Sequence, residues 1–246
     1  MKKVLGIVAI VLLAVICAVA GTVYVGYRVV KSVIANGGCV DCVQVDNGGP
    51  VIRGSGHLAT DTRTVGNFSA VDVSALGADV VITRGSADGV AVIGDDNLLP
   101  LYTSEAKDGT LYLAFAKGKS FQGKMPTYRV TITDLRSIRV HGSGDVTANN
   151  LDGSVLSVIA SGSSDIRLSG QDDDLTVSVT GSGSVDAAKL QAKQAKVIVG
   201  GSGDATVNAS DALDVRVSGS GSVHYLGAPK LTKDVSGSGS VEHRQP

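Results

Sequence analysis

The chain of 246 residues has no tryptophan, three Phe and six Tyr, and only two of its 23 acidic residues, Glu105 and Glu242, are glutamate. So few rings leave almost no platform on which sugars could stack. Long-chain helix formers are scarce beside Gly, Val, Ser and Asp, which argues against a helical bundle and for short strands joined by turns. Five Pro and the lack of a three-residue Gly period exclude a collagen-like chain despite 32 Gly. A hydrophobic fraction of 43% with a net charge of −1 excludes disorder. The four His (His57, His141, His224, His243) are scattered, no acidic pair stands out and no G-x-S-x-G occurs. No catalytic residue, metal ligand set or cofactor site is assigned, and the chain is expected not to be an enzyme.

One long hydrophobic run is present. Residues 4–27 carry no charge, and 24 residues of helix would span roughly 36 Å, enough to cross a bilayer core of about 30 Å. Its length favours an uncleaved membrane anchor within residues 1–35; the alternative is a signal peptide cleaved after Ala18-Val19-Ala20. Either way the remainder is expected to be exported: anchored to the inner membrane facing the periplasm, or secreted after cleavage. The first 38 residues hold four of the 22 basic residues and no acidic one, so the remainder carries 18 − 23 = −5. That charge disfavours nucleic acid as a partner.

Cys39-Val40-Asp41-Cys42 lies in a Gly-rich stretch, residues 36–56, expected to act as a tether. Outside the cytoplasm, a local Cys39–Cys42 disulfide is the plain reading. A zinc half-site lacks a second ligand pair, a redox centre lacks its βαβ setting, and Val43 stands where a haem attachment site needs His.

From residue 135 onward the chain repeats. Gly142-Ser143-Gly144-Asp145 recurs as Gly162-Ser163-Ser164-Asp165, Gly181-Ser182-Gly183-Ser184, Gly201-Ser202-Gly203-Asp204, Gly219-Ser220-Gly221-Ser222 and Gly237-Ser238-Gly239-Ser240. The starts lie 20, 19, 20, 18 and 18 residues apart. Aligned on the first Gly, apolar columns stand two, four and six residues before it and four and six after it. Examples are Val140, Ala160, Val179, Val199, Val217, Val235 and Ile138, Val158, Val177, Val197, Val215, Lys233. Polar residues fill most positions between. Each repeat is an alternating strand, a Gly-Ser-Gly turn and a second alternating strand. A single repeat cannot bury its apolar face; stacked repeats can. The expected fold is all-β: a right-handed single-stranded β-solenoid of about 18–20 residues per turn, as the repeat spacing sets. It would follow one N-terminal transmembrane or signal helix.

Stacking turns the motif into a structural turn ladder. The Gly residues are expected to supply positive φ. The Ser residues are expected to hydrogen bond to the turn backbone and to one another. Asp145, Asp165 and Asp204 are expected to cap the turn, with calcium binding by this column as the alternative. Residues 57–134 are an irregular region of the same solenoid, or a β cap on it, and residues 135–246 form the regular part. Two local expectations complete the picture: an exposed loop at residues 117–124, and a solvated corner loop at Asp172-Asp173-Asp174.

The chain resembles the auto-transporter adhesin head GIN domain family of bacterial envelope proteins. The resemblance is carried by Arg63-Thr64-Val65-Gly66-Asn67-Phe68-Ser69-Ala70-Val71-Asp72-Val73, Asp79-Val80-Val81-Ile82-Thr83-Arg84-Gly85 and Gly109-Thr110-Leu111-Tyr112-Leu113. Most specific is Leu135-Arg136-Ser137-Ile138-Arg139-Val140-His141-Gly142-Ser143-Gly144-Asp145-Val146. It implies a right-handed β-solenoid behind a signal or anchor, and an adhesive role without a catalytic residue to carry over.

The first functional expectation is a non-enzymatic envelope module for adhesion, scaffolding or protein or glycan interaction. The second is a polysaccharide-acting β-helix enzyme, which would need clustered acids on one face. The third concerns self-association at the C-terminal end, whose last turn exposes unpaired strand edges: either Glu242, Arg244 and Pro246 protect these edges against stacking, or the end pairs with a second molecule.

Overall fold

The computed structural model describes residues 29–31, 42–46, 49–74 and 77–245. The membrane segment, Cys17, Cys39 and Pro246 lie outside the described residues, as does the side chain of Cys42. Among the described residues no helix is long and apolar enough to cross a membrane. Strands dominate the described residues, where one 3-10 turn at Leu99–Leu101 interrupts them, and they wind a β-solenoid of about five turns.

The register follows the sequence columns. Val140 pairs in parallel with Ala160, Ala160 with Val179, Val179 with Val199, Val199 with Val217 and Val217 with Val235. On the other side of the Gly corner, Val146, Ile166, Val185, Ala205, Val223 and Val241 pair in the same way. Alternate side chains therefore stack inward as ladders, and Val158, Val177, Val197 and Val215 are fully buried. Each such Val removed from water contributes about 1.5–3 kcal/mol. Not every expected column position turns inward: Arg136, six residues before the Gly of the first motif, is exposed, and Leu135 beside it is buried instead.

The Gly-Ser-Gly corner works through its backbone. A Cβ on Gly162 would lie 2.2 Å from the Gly142 carbonyl oxygen, and one on Gly181 would lie 2.4 Å from that of Gly162. These first glycines also adopt φ of 132° and 138°, a region closed to most L side chains. Their absent side chains let successive turns close up. The Gly162 carbonyl then accepts the N–H groups of Ser182 and Gly183 at 2.9 and 3.0 Å, and the Gly181 carbonyl those of Ser202 and Gly203 at the same distances.

The N-terminal region does not stack in chain order. Ala70–Val73 and Asp79–Arg84 form the turn beside the regular coil, pairing with Ser137–Gly142 and Val146–Gly162. Thr110–Phe115 and Thr127–Ile132 lie beyond them, again parallel. The outermost strands are antiparallel: Tyr102–Lys107 on Thr110–Phe115, and Gly89–Asp95 on Thr127–Ile132, with Leu58–Arg63 outside. The scarce aromatics gather here. Tyr102, Phe115 and Phe121 pack with ring centroids 5.2–5.7 Å apart. The exposed loop expected at residues 117–124 is corrected, because Ser120–Lys124 is a strand and Phe121 is buried in this cluster. Cys42–Val45 and Val51–Arg53, inside the stretch expected to be a tether, pair with that strand.

Candidate functional site

The Gly-Ser-Gly[Asp/Ser] residues come together as one corner ladder. Gly142, Gly162, Gly181, Gly201, Gly219 and Gly237 stack, and the following Ser143, Ser163, Ser182, Ser202, Ser220 and Ser238 all face solvent. The expected hydroxyl bonding is corrected: main-chain N–H groups hold the corner, and no hydrogen bond from these six hydroxyls occurs among the described residues. The reason is geometric, since the third residue of each motif takes the inward position (Gly144, Ser164, Gly183, Gly203 and Gly221 are buried) and Ser is left pointing out. The Asp column links turns. Asp145 accepts the Asp165 N–H at 3.2 Å, Asp165 accepts the Ser184 hydroxyl at 2.7 Å, and Asp204 accepts the Ser222 N–H at 2.7 Å. Among the described residues no group of three or more His, Cys, Asp or Glu is placed to hold a metal ion.

The histidines sit apart. His57 is exposed, His141 contacts Ser161 at 2.8 Å, His224 lies 3.9 Å from Glu242, and the His243 ring packs against Tyr225 at a 45° tilt. His141 stands between a hydroxyl and an acid, with Ser161 Oγ 2.8 Å from its Nδ1 and Asp72 Oδ2 3.8 Å from its Nε2; the imidazole is half exposed, and the Ser161 hydroxyl donates to the Val140 carbonyl at 3.2 Å.

A second corner carries more chemistry. There the long strands Val146–Gly162, Asp165–Gly181, Ser184–Val199 and Asp204–Gly219 slip register: between Ala148 and Leu151, between Arg167 and Ser169, and between Ala187 and Gln191. Asn150 (φ 58°) and Gly170 (φ 131°) make this bend, positions where Asn and Gly are the favoured residues. Along it runs an open groove of about 630 Å³, from Asp152 and Gly153 to Gly227 and Ala228.

Two adjacent columns line the groove. The outward one is polar: Asp152 pairs with Gln171, Gln171 with Gln191, and Gln191 with Asn208. The Gln171 side-chain amide donates to Asp152 at 3.0 Å, and Arg84 bridges to the other carboxylate oxygen. These bonds hold the Asp152 carboxyl below the usual range, the amide bond contributing most. Lys193 pairs with Asp173 at 2.7 Å, a bond that raises the Lys193 pKa. The inward column is small: Gly153, Asp172, Ala192 and Ala209.

Asp172 stands out in that small column. The expected solvated acidic loop is corrected here, because Asp172 is only 5% exposed. It fits because Gly153 on the neighbouring turn lacks a side chain; a Cβ there would lie 2.8 Å from Asp172 Oδ2. Burial pushes its pKa up to about 6, against the pull of the Asp174 and Asp173 N–H groups. Its Oδ1 has no hydrogen-bond partner among the described residues. Column counting from the Gly corner missed both columns, because the number of residues between corners varies.

With the geometry in place, comparisons locate the chain among known proteins. The family model described as "Putative auto-transporter adhesin, head GIN domain" matches residues 67–229. The crystal structure of a "putative adhesin" from Bacteroides fragilis NCTC 9343 is 26% identical, with a TM-score of 0.65, and covers 78% of this chain and 100% of its own. A "putative lipid binding protein" from Parabacteroides distasonis ATCC 8503 is 22% identical, with a TM-score of 0.49, and covers 79% of this chain and 100% of its own. The same comparison against curated proteins yields no match.

Proposed function

Because the chain belongs to the auto-transporter adhesin head GIN domain family, we propose that it is a non-enzymatic cell-envelope module that holds an extended glycan along its second-corner groove. In this reading the coil is right-handed and single-stranded. Residues 1–35 anchor it to the inner membrane with the coil in the periplasm, or are cleaved to release it. The adhesin descriptions of its family and of the Bacteroides fragilis structure support an adhesive role.

One observation carries the ligand class: the outward ladder of Asp152, Gln171, Gln191 and Asn208. It presents carboxylate and carboxamide groups one turn apart, about 4.8 Å per step. The carboxamides both donate to and accept from hydroxyls, and the Asp152 carboxylate accepts. The surrounding charge, with Asp152, Asp172 and Asp173 against Lys193, disfavours polyanions. An open polar trough without an aromatic floor suits weak, repeated contacts along a chain rather than capture of one sugar ring.

The test is retention of envelope polysaccharide fragments by the full chain in mild detergent. Gln171→Ala and Gln191→Ala, both at exposed positions, are expected to weaken retention by roughly 2- to 10-fold each, the worth of one net hydrogen bond. Unchanged retention in both variants would refute the groove as the ligand site. Shortening of the polysaccharide during incubation would favour the polysaccharide-acting reading instead.

A further inference from the structure

The two edges of the described coil differ. Antiparallel strands close the N-terminal end. At the C-terminal end, Lys230–Gly237 pairs only with Asp204–Gly219, and Ser240–His243 only with Ser222–Leu226. Their outer edges face no described strand, and Val235 on the last rung is 39% exposed. Such an edge offers free N–H and C=O groups to any incoming strand. A second copy of this chain offers the same edge, with matching inward positions at Leu231 and Val235.

The middle of that edge is unlike every rung beneath it. Ile138, Val158, Val177, Val197 and Val215 fill one inward column and are fully buried. The register sets Lys233 directly after Val215 in this column, and Lys233 is exposed. On an open edge its ammonium stays in water. Were another rung to stack there, the ammonium would be enclosed in an aliphatic column with no acid in it, an unfavourable burial. The neighbouring column ends in a similar way. Where Ala187 and Val207 stood lower down, Tyr225 and His243 pack with centroids 5.0 Å apart, and His243 Nε2 lies 2.9 Å from the Gly227 carbonyl.

We propose that the C-terminal rung is a terminator, in which Lys233, beside the Tyr225–His243 ring pair, keeps the open edge from stacking on a second copy of this chain. This is independent of what the groove binds.

Sedimentation velocity of the full chain in mild detergent, over a range of concentrations, tests it for the wild type, Lys233→Val and Lys233→Glu. Hydrogen–deuterium exchange of residues 230–243 accompanies each run. Lys233→Val is expected to form a species of about twice the protein mass, with slowed exchange at residues 230–237. Wild type and Lys233→Glu are expected to keep one size, because either charge blocks burial. The proposal is overturned if Lys233→Val matches the wild type in size and exchange. It is equally overturned if Lys233→Glu associates as Lys233→Val does, or if the wild-type edge already gains protection with concentration. Faster exchange throughout residues 204–237 in Lys233→Val would mean local unfolding instead of stacking, and would also count against it.

Discussion

Asp172 makes the coil's stability depend on pH in an unusual direction. Its carboxyl has a pKa pushed up to about 6 by burial, against an ordinary value of 3.8. A raised carboxyl pKa means that the folded state binds the proton more tightly than the unfolded state. The cost of ionising Asp172 is therefore absent below about pH 3.8, grows as the pH rises and is complete above about pH 6. At 1.36 kcal/mol per unit, the full cost is about 3 kcal/mol, and the part falling between pH 4.5 and 7.5 is about 2 kcal/mol. Asp152 and Asp96, whose pKa values are lowered by hydrogen bonds, act with the opposite sign and chiefly below this window. Urea unfolding followed by circular dichroism, at pH 4.5 and 7.5, would compare the wild type with Asp172→Asn. The difference between the two pH values should be more favourable to acid in the wild type by about 2 kcal/mol, equivalent to roughly 4–8 °C in Tm. Absolute stability of Asp172→Asn is a poorer guide, because the amide brings its own unpaired N–H groups into the column. Equal pH dependence in the two proteins would refute the burial argument.

Two further predictions concern the Gly corner. Gly181→Ala combines a positive φ with a Cβ 2.4 Å from the Gly162 carbonyl oxygen, so thermal unfolding should show a loss of at least about 2 kcal/mol. The neighbouring Ser182→Ala should change stability by less than about 0.5 kcal/mol, since its exposed hydroxyl makes no bond; a loss comparable to that of Gly181→Ala would contradict the backbone account of the ladder. Ser164 occupies an inward site filled by Gly in other motifs and buries a hydroxyl without a partner. Ser164→Ala should raise the denaturation midpoint by about 1 kcal/mol equivalent, and a lower midpoint would show that this hydroxyl is satisfied.

How much of this was legible in the sequence follows from where the repeat keeps its length and where it does not. From six residues before each first Gly to six after it, the chain length is fixed, so Val140 to Val235 and Val146 to Val241 align by counting and pair as counted. Parallel stacking at a Gly corner leaves no freedom, because a carbonyl of one turn must meet two N–H groups of the next. Between the corners the length is free. Ala148 to Leu156 is eight residues, Leu168 to Leu175 seven, and Val207 to Leu213 six, and the register slips that absorb these differences fall at the groove. Counting therefore could not bring Asp152, Gln171, Gln191 and Asn208 into one ladder, nor show that Asp172 turns inward toward the space left by Gly153. The out-of-order stacking of residues 68–132 was hidden for a related reason: those turns lack the Gly-Ser-Gly marker, and their partners are distant in sequence. Lys233 stood in plain sight, as a charge in an aliphatic column, and it acquires a meaning once the pairing shows no described strand on the far side of its own. The repeat's constant corner sets the spacing of the coil, while its variable corner is free to differ from turn to turn, which is the freedom a binding surface requires.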